Sequence, residues 1–185
     1  MITGAKMIRK YETADIGGRI DIICKYYPCF IATVEDFIDD LEYDIVEEQC
    51  YNRRDELGDL GVKVQTSKIS NPTQDDGIRN VELHKAILSG DFSGGELDDT
   101  DHGELFIKDA ALVRTMLDDF SRFQKKVDKL QPREKELFVS YLQQETSITD
   151  IAESSGIMYE SAKQKVRRIK VTIKNEIASR GRRRG

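Results

Sequence analysis

The chain has no tryptophan, 3 prolines, 3 cysteines and 2 histidines among its 185 residues. Each shortage narrows what the protein can be. Without tryptophan, and with hydrophobic residues at 38% and charged residues at 34%, the composition suits a soluble, helix-rich chain with modest cores. Cys24, Cys29 and Cys50 are odd in number and include no CxxC pair. A structural zinc would have to recruit His84 and His102, far from the cysteines in sequence, so no metal is expected and the thiols read as buried or idle. No stretch approaches the roughly 18–20 apolar residues that a bilayer requires. Met1 to Lys10 lacks the apolar run of a signal peptide, which predicts a cytoplasmic protein with no membrane contact and no disulfides. Walker loop, dinucleotide fingerprint, GxSxG elbow and HExxH are all missing. The one dense set of metal-ligand types is Asp98, Asp99, Asp101, His102 and Glu104, in surroundings rich in Gly and Ser that suit a mobile linker better than a catalytic scaffold. No catalytic residue, metal or cofactor is expected, and the chain is not expected to be an enzyme.

What the chain does have is an uneven charge. The net charge of −5 hides 10 basic and 2 acidic residues from Tyr159 to Gly185, against 19 basic and 32 acidic ones before them. One end therefore carries +8 and the remainder −13. Such a split predicts that the basic end meets a polyanion, because phosphate contacts depend on local potential and not on the overall pI.

The few prolines punctuate the chain. Residues 1–14 show no clear pattern and are expected to fray. Ile16 to Phe30 is apolar and aromatic, and Pro28 should interrupt any helix there. Thr33 is the expected cap of a long helix with Val34, Phe37, Ile38, Leu41 and Ile45 at spacings of three and four. Its other face is acidic (Glu35, Asp36, Asp39, Asp40, Glu42, Asp44, Glu47, Glu48), a pattern that is ordinarily just solvated. Gly58, Gly61 and Gln65 to Asn71 read as a loop, with a short strand at Val62 to Gln65 as an option. Asn71-Pro72 opens a helix running to about Leu88 and carrying Ile78, Val81, Ile87 and Leu88. Gly90 to Gly103 reads as a flexible acidic linker. The expected organisation is thus an acidic, mostly helical module over 1–89, a linker over 90–103 and a second domain over 104–185 that ends in the basic tail. From Glu104 a long helix should reach Leu130, with a seam of Leu112, Met116, Phe120, Phe123, Val127 and Leu130. That seam calls for a partner helix, in the same chain or in a second copy, so a homodimer through 104–130 is a candidate.

The last third is the most informative. Pro132 opens a helix over Arg133 to Leu142 with Leu137, Phe138, Tyr141 and Leu142 inward. Ser147-x-x-Asp150 is a capping-box start for a short helix ending near Ser155. The small Ala152 permits a close helix crossing. Gly156 provides the sharp turn, and Ile157 should point back into the core. The next helix turns Ala162, Val166, Ile169, Ile173 and Ile177 inward. This is the pattern of a helix-turn-helix, whose second helix enters the major groove by its N-terminal part. Tyr159, Glu160, Ser161, Lys163 and Gln164 are then the candidates for base edges, since Gln matches adenine, Glu cytosine and Lys guanine. Lys165, Arg167, Arg168 and Lys170 flank them at positions suited to phosphates. The Arg180–Gly185 tail is either a phosphate clamp or a solvated terminus.

The run from Leu130-Gln-Pro-Arg-Glu-Lys-Glu-Leu through Ile-Thr-Asp-Ile-Ala-Glu-Ser-Ser-Gly-Ile to Ala-Lys-Gln-Lys-Val-Arg-Arg-Ile resembles the fourth region of bacterial sigma factors. The resemblance covers residues 128–178. Together with the preceding long helix and the helix opened by Asn71-Pro72-Thr73, the chain also resembles phage late-transcription regulators of the ArpU and RinA type. These resemblances imply an all-α protein: a C-terminal helix-turn-helix bundle preceded by a long helix and a helical N-terminal module. They imply a phage or prophage activator of late genes that binds double-stranded DNA near promoters, with RNA polymerase as a candidate partner. Ser155, Met158 and Ala162 depart from the sigma pattern, which bears on the base-contacting set more than on the fold. Two other functions share parts of the pattern. One is a DNA-packaging protein like the small terminase subunits; the other is a protein-interaction module that does not touch DNA.

Overall fold

Every regular element is helical among the residues that the computed structural model describes, 4–57 and 72–181. The possible strand at 62–65, the loop glycines Gly58 and Gly61, the Asn71 cap and the 182–185 part of the tail lie outside these residues. The helices are α1 (Gly4–Thr13), α2 (Ile16–Tyr26), α3 (Phe30–Leu57), α4 (Pro72–Ser89), α5 (Gly103–Val127), α6 (Pro132–Leu142), α7 (Ile148–Ser155) and α8 (Tyr159–Gly181). They form two compact units: Met1–Thr33 with Leu117–Gly185, and Val34–Met116.

The first unit begins where no element was expected. Met7 and Tyr11, four residues apart, place one face of α1 in the core, and Tyr11 is wholly buried. Two apolar residues are too few to show a period in the sequence; tertiary packing makes the helix. Asp15 caps α2 by accepting from the Gly18 amide at 2.7 Å. Pro28 interrupts the helix as expected, inside a 3-10 turn over Tyr27–Cys29. That turn passes directly into α3 at Phe30. Thr33 therefore does not cap the helix but lies within it, its hydroxyl donating to the Cys29 carbonyl at 2.9 Å. Phe30 stacks on Phe120 with ring centres 5.4 Å apart, and Tyr27 lies 5.8 Å from the same ring.

The second unit contains α3 from Val34, α4, the loop that follows and α5 as far as Met116. Val34, Ile38, Leu41 and Ile45 are buried along α3, while most of the acidic side remains exposed. On α4 the buried face is Leu83, Ala86 and Ile87; Ile78 and Val81, expected to be inward, are 49% and 53% exposed. The small Ala86 allows that side to pack closely, which apolar spacing alone did not show.

Residues 90–103, expected to be a flexible linker, make a series of turns held to α3. The Gln49 amide donates to the carbonyls of Glu96 and Asp98, both at 2.9 Å. Asn52 donates to the Asp99 carbonyl at 2.9 Å, and Arg53 pairs with the Asp99 carboxylate at 2.8 Å. The side-chain donors of α3 satisfy the loop backbone, and the boundary between units falls instead within α3 and α5.

Helix α5 buries Phe106, Ala110, Val113, Met116, Phe123 and Val127. Leu112, Phe120 and Leu130 of the expected seam are only half-buried. The buried part of the seam is thus covered within one chain.

Candidate functional site

The α6–α8 segment is built from local signals. Pro132 stands at the first position of α6, where a missing amide costs nothing, and Phe138 and Leu142 are buried while Leu137 and Tyr141 are half-buried. Ser147 and Asp150 make a reciprocal box at the start of α7: the Ser147 amide donates to the Asp150 carboxylate at 2.8 Å, and the Asp150 amide to the Ser147 hydroxyl at 3.2 Å. Those hydrogen bonds hold the Asp150 carboxyl below its ordinary range. Gly156 ends the helix in the left-handed region at φ 62°, its amide and that of Ile157 closing on Glu153 and Ala152.

Ile157 does not return to the core and is 36% exposed. The left-handed residue carries the chain away from the end of α7. The buried Ala152 and Ala162 serve the packing of α7 on α8 instead. Met158 is 80% exposed, and its carbonyl accepts from the Ser161 and Ala162 amides at 2.9 and 3.1 Å. This sets the start of α8 at Tyr159 without a side-chain cap.

Helix α8 is cleanly two-sided. Ala162, Val166, Ile169, Ile173 and Ile177 are all buried, as their spacing predicts. Tyr159, Glu160, Ser161, Lys163, Gln164, Arg167 and Arg168 are exposed, and Lys165 and Lys170 are half-buried. Ser161, Gln164, Lys165 and Arg168 share one face of α8 and, with Glu134 of α6 and Ile169, line an open cleft of about 450 Å³. Sequence reasoning missed Glu134 because α6 and α8 meet only in the folded unit.

The basic side chains of α8 differ in their engagement. Lys163 lies 3.5 Å from Glu160 and its ammonium 5.9 Å from the Tyr159 ring centre, contacts local to the first turns. Lys170, expected among the phosphate contacts, is turned to Asp21 of α2 at 2.8 Å, and Lys174 reaches the other oxygen of the same carboxylate at 2.7 Å. Burial opposes the charge on Asp21, but the hydrogen bonds and charges of the two lysines outweigh it and hold its carboxyl below the usual range. Farther along, Glu176 pairs with Lys126 of α5. Among the described residues, Lys165, Arg167 and Arg168 make no ion pair. Asp21 lies 149 positions before Lys170 in the chain, so no local pattern could have found it.

The remaining candidates from the sequence are dispersed. In the second unit the His102 ring meets Glu48 at 3.0 Å and Asp99 is bound to Arg53, so the acidic cluster at 98–104 is drawn into contacts with α3. Among the described residues no group of three or more His, Cys, Asp or Glu is gathered to hold a metal. The three thiols are free, and burial pushes that of Cys24 up to about 12. No helix among the described residues is long and apolar enough to cross a membrane. Comparison with protein-family models, with curated proteins and with solved structures gives no match.

Proposed function

We propose that α6, α7 and α8 form a helix-turn-helix that binds double-stranded DNA, and that the protein is a sequence-specific transcription regulator of the sigma-region-four-like kind, acting on phage or prophage late genes. The observation that carries this reading is the two-sided α8 behind the Gly156 turn. Its first turns expose Tyr159, Glu160, Ser161, Lys163, Gln164, Arg167 and Arg168, while Ala162, Val166 and Ile169 are buried beneath them. A helix held from below and bare at its N-terminal end is what major-groove entry requires. Lys163 and Gln164 are the base-reading candidates, and Lys165, Arg167 and Arg168, without ion pairs among the described residues, suit phosphates. In this proposal the protein works in the cytoplasm without cofactor or catalysis, with RNA polymerase as a candidate partner at the promoter.

Replacing Lys163, Gln164, Arg167 and Arg168 together by alanine tests the reading. Duplex affinity should collapse and its salt dependence flatten; unchanged affinity would sink the DNA-binding assignment. Footprinting on the genome that encodes the chain then locates the site. A site next to a late promoter supports regulation, and one at a packaging origin supports the terminase-like alternative.

A further inference from the structure

Lys163, Arg167, Lys170 and Lys174 recur at intervals of 4-3-4 and so lie along one side of α8. This basic stripe is about 16 Å long at the helical rise per residue. Its two halves are treated differently. Lys163 and Arg167 are exposed, whereas Lys170 and Lys174 are half-buried, each bound to one oxygen of Asp21 at 2.8 and 2.7 Å. Asp21 is fixed in turn by α2, whose Ile20 and Ile23 are fully buried on either side of it and which packs on α8. The carboxylate therefore meets the stripe where its outer half ends.

We infer that Asp21 is a specificity-determining residue: it shortens the DNA-facing cationic stripe of α8 to its first two turns. The inference rests on the DNA-binding reading above. Phosphate contacts carry no sequence information, and each adds affinity for every duplex alike. A stripe with four available cations would lie along a DNA backbone of any sequence. With Asp21 in place, two of the four cations are engaged by one carboxylate, which cancels one of their two charges, and the sequence-independent share of the binding is reduced. Discrimination then depends on Lys163, Gln164 and their neighbours at the exposed end.

The test uses the full chain, a short duplex selected from a random pool by the unaltered protein, and a shuffled duplex of the same composition. Asp21→Asn keeps the shape but removes the charge and leaves one acceptor oxygen where the two lysines now have one each. On the shuffled duplex it should steepen the log–log salt slope by about one to two and tighten binding by about tenfold at low salt. The selected duplex should gain less, so the ratio of the two affinities falls. Lys170→Gln with Lys174→Gln breaks the same contact from the other side without releasing cations, and should not steepen the slope. Adding both to Asp21→Asn should return the slope to that of the unaltered chain.

If both ways of breaking the contact act alike, Asp21 is merely structural and the inference is overturned. An unchanged slope in folded D21N overturns it too, and D21S keeps the comparison open should D21N lose its helical signal. If the unaltered chain binds neither duplex, the DNA-binding reading itself falls and takes this one with it. Binding that is indifferent to Asp21 sinks only the specificity role.

Discussion

The Tyr11 hydroxyl donates to the Asp119 carboxylate at 2.9 Å across 108 positions of sequence, and Asp119 is the one charged side chain among the described residues that is buried, at 3% exposure. Arg19 and Arg122 approach the same carboxylate at 3.7 and 3.8 Å, and the Arg19 guanidinium lies 5.4 Å from the Tyr11 ring centre. Burial first, and then the charge of Asp119, push the Tyr11 hydroxyl well above its ordinary value, so it remains a donor across the working pH range. Tyr11→Phe leaves a buried carboxylate short of one hydrogen bond. The expected loss is about 1–3 kcal/mol, read as a lower urea midpoint of the unit that contains α1. An unchanged midpoint would mean that the two arginines suffice.

Acid should loosen the second unit through Glu48. Its carboxylate accepts from the Asp101 and His102 amides at 2.6 and 3.1 Å and from the His102 ring at 3.0 Å. Burial works against its charge, but these hydrogen bonds outweigh burial and lower its pKa. A carboxyl held lower in the folded than in the unfolded chain stabilises fully above its unfolded value, and that stabilisation is lost as pH falls through the folded one. The stabilisation should therefore fade below a pH of about 4.5, the ordinary glutamate range. Urea midpoints at descending pH should fall more steeply for the unaltered chain than for Glu48→Gln; parallel curves would remove Glu48 from the account.

Gly156 has φ 62°, and a Cβ built there meets no heavy atom within 4 Å. Gly156→Ala should therefore cost only the backbone term, about 1 kcal/mol, seen as a lower melting temperature with the helical signal retained. Gly156→Asn should cost less, since Asn enters the left-handed region more readily. A loss several times larger for Ala would point to a clash that the open space around Gly156 does not contain.

The two kinds of DNA contact proposed for α8 separate by their signatures. Gln164→Ala should change which sequences are preferred and leave the salt slope nearly intact. Arg168→Gln should weaken all duplexes alike and reduce the slope by about 0.9. A competition series against duplexes changed one base pair at a time distinguishes these outcomes, and reversal of the two would redraw the recognition face.

Legibility from sequence followed the range of the interactions. The Pro132 start, the Ser147–Asp150 box, the Gly156 turn and the inner face from Ala162 to Ile177 all rest on neighbours within a few residues, and the structure has each of them. Helix α1 exists because Tyr11 finds Phe30 and Asp119, which no window over residues 1–14 contains. The turns at 90–102 looked mobile because Gly, Ser and Asp dominate, yet Gln49 and Asn52 satisfy their backbone from another helix and Arg53 holds the Asp99 carboxylate. On the candidate site itself, the exposed residues of α8 were readable from its period. The engagement of Lys170 by Asp21 was not, because it depends on which helix packs against the far half of α8.

The first unit draws on two separate stretches of sequence, and this bears on how the chain is made. Residues 34–116 are contiguous, so on the ribosome all their contacts are available as soon as α5 is half emerged. Helices α1 and α2 are synthesised before that stretch, but Asp119 comes 108 residues after its partner Tyr11, and Lys174 comes 153 residues after Asp21. The N-terminal helices thus wait through the birth of everything between, with Met7, Tyr11, Ile20 and Ile23 lacking their native cover. A chain stalled or cut before α8 would present that apolar face to chaperones and proteases, so the first unit can close only once α8 has emerged.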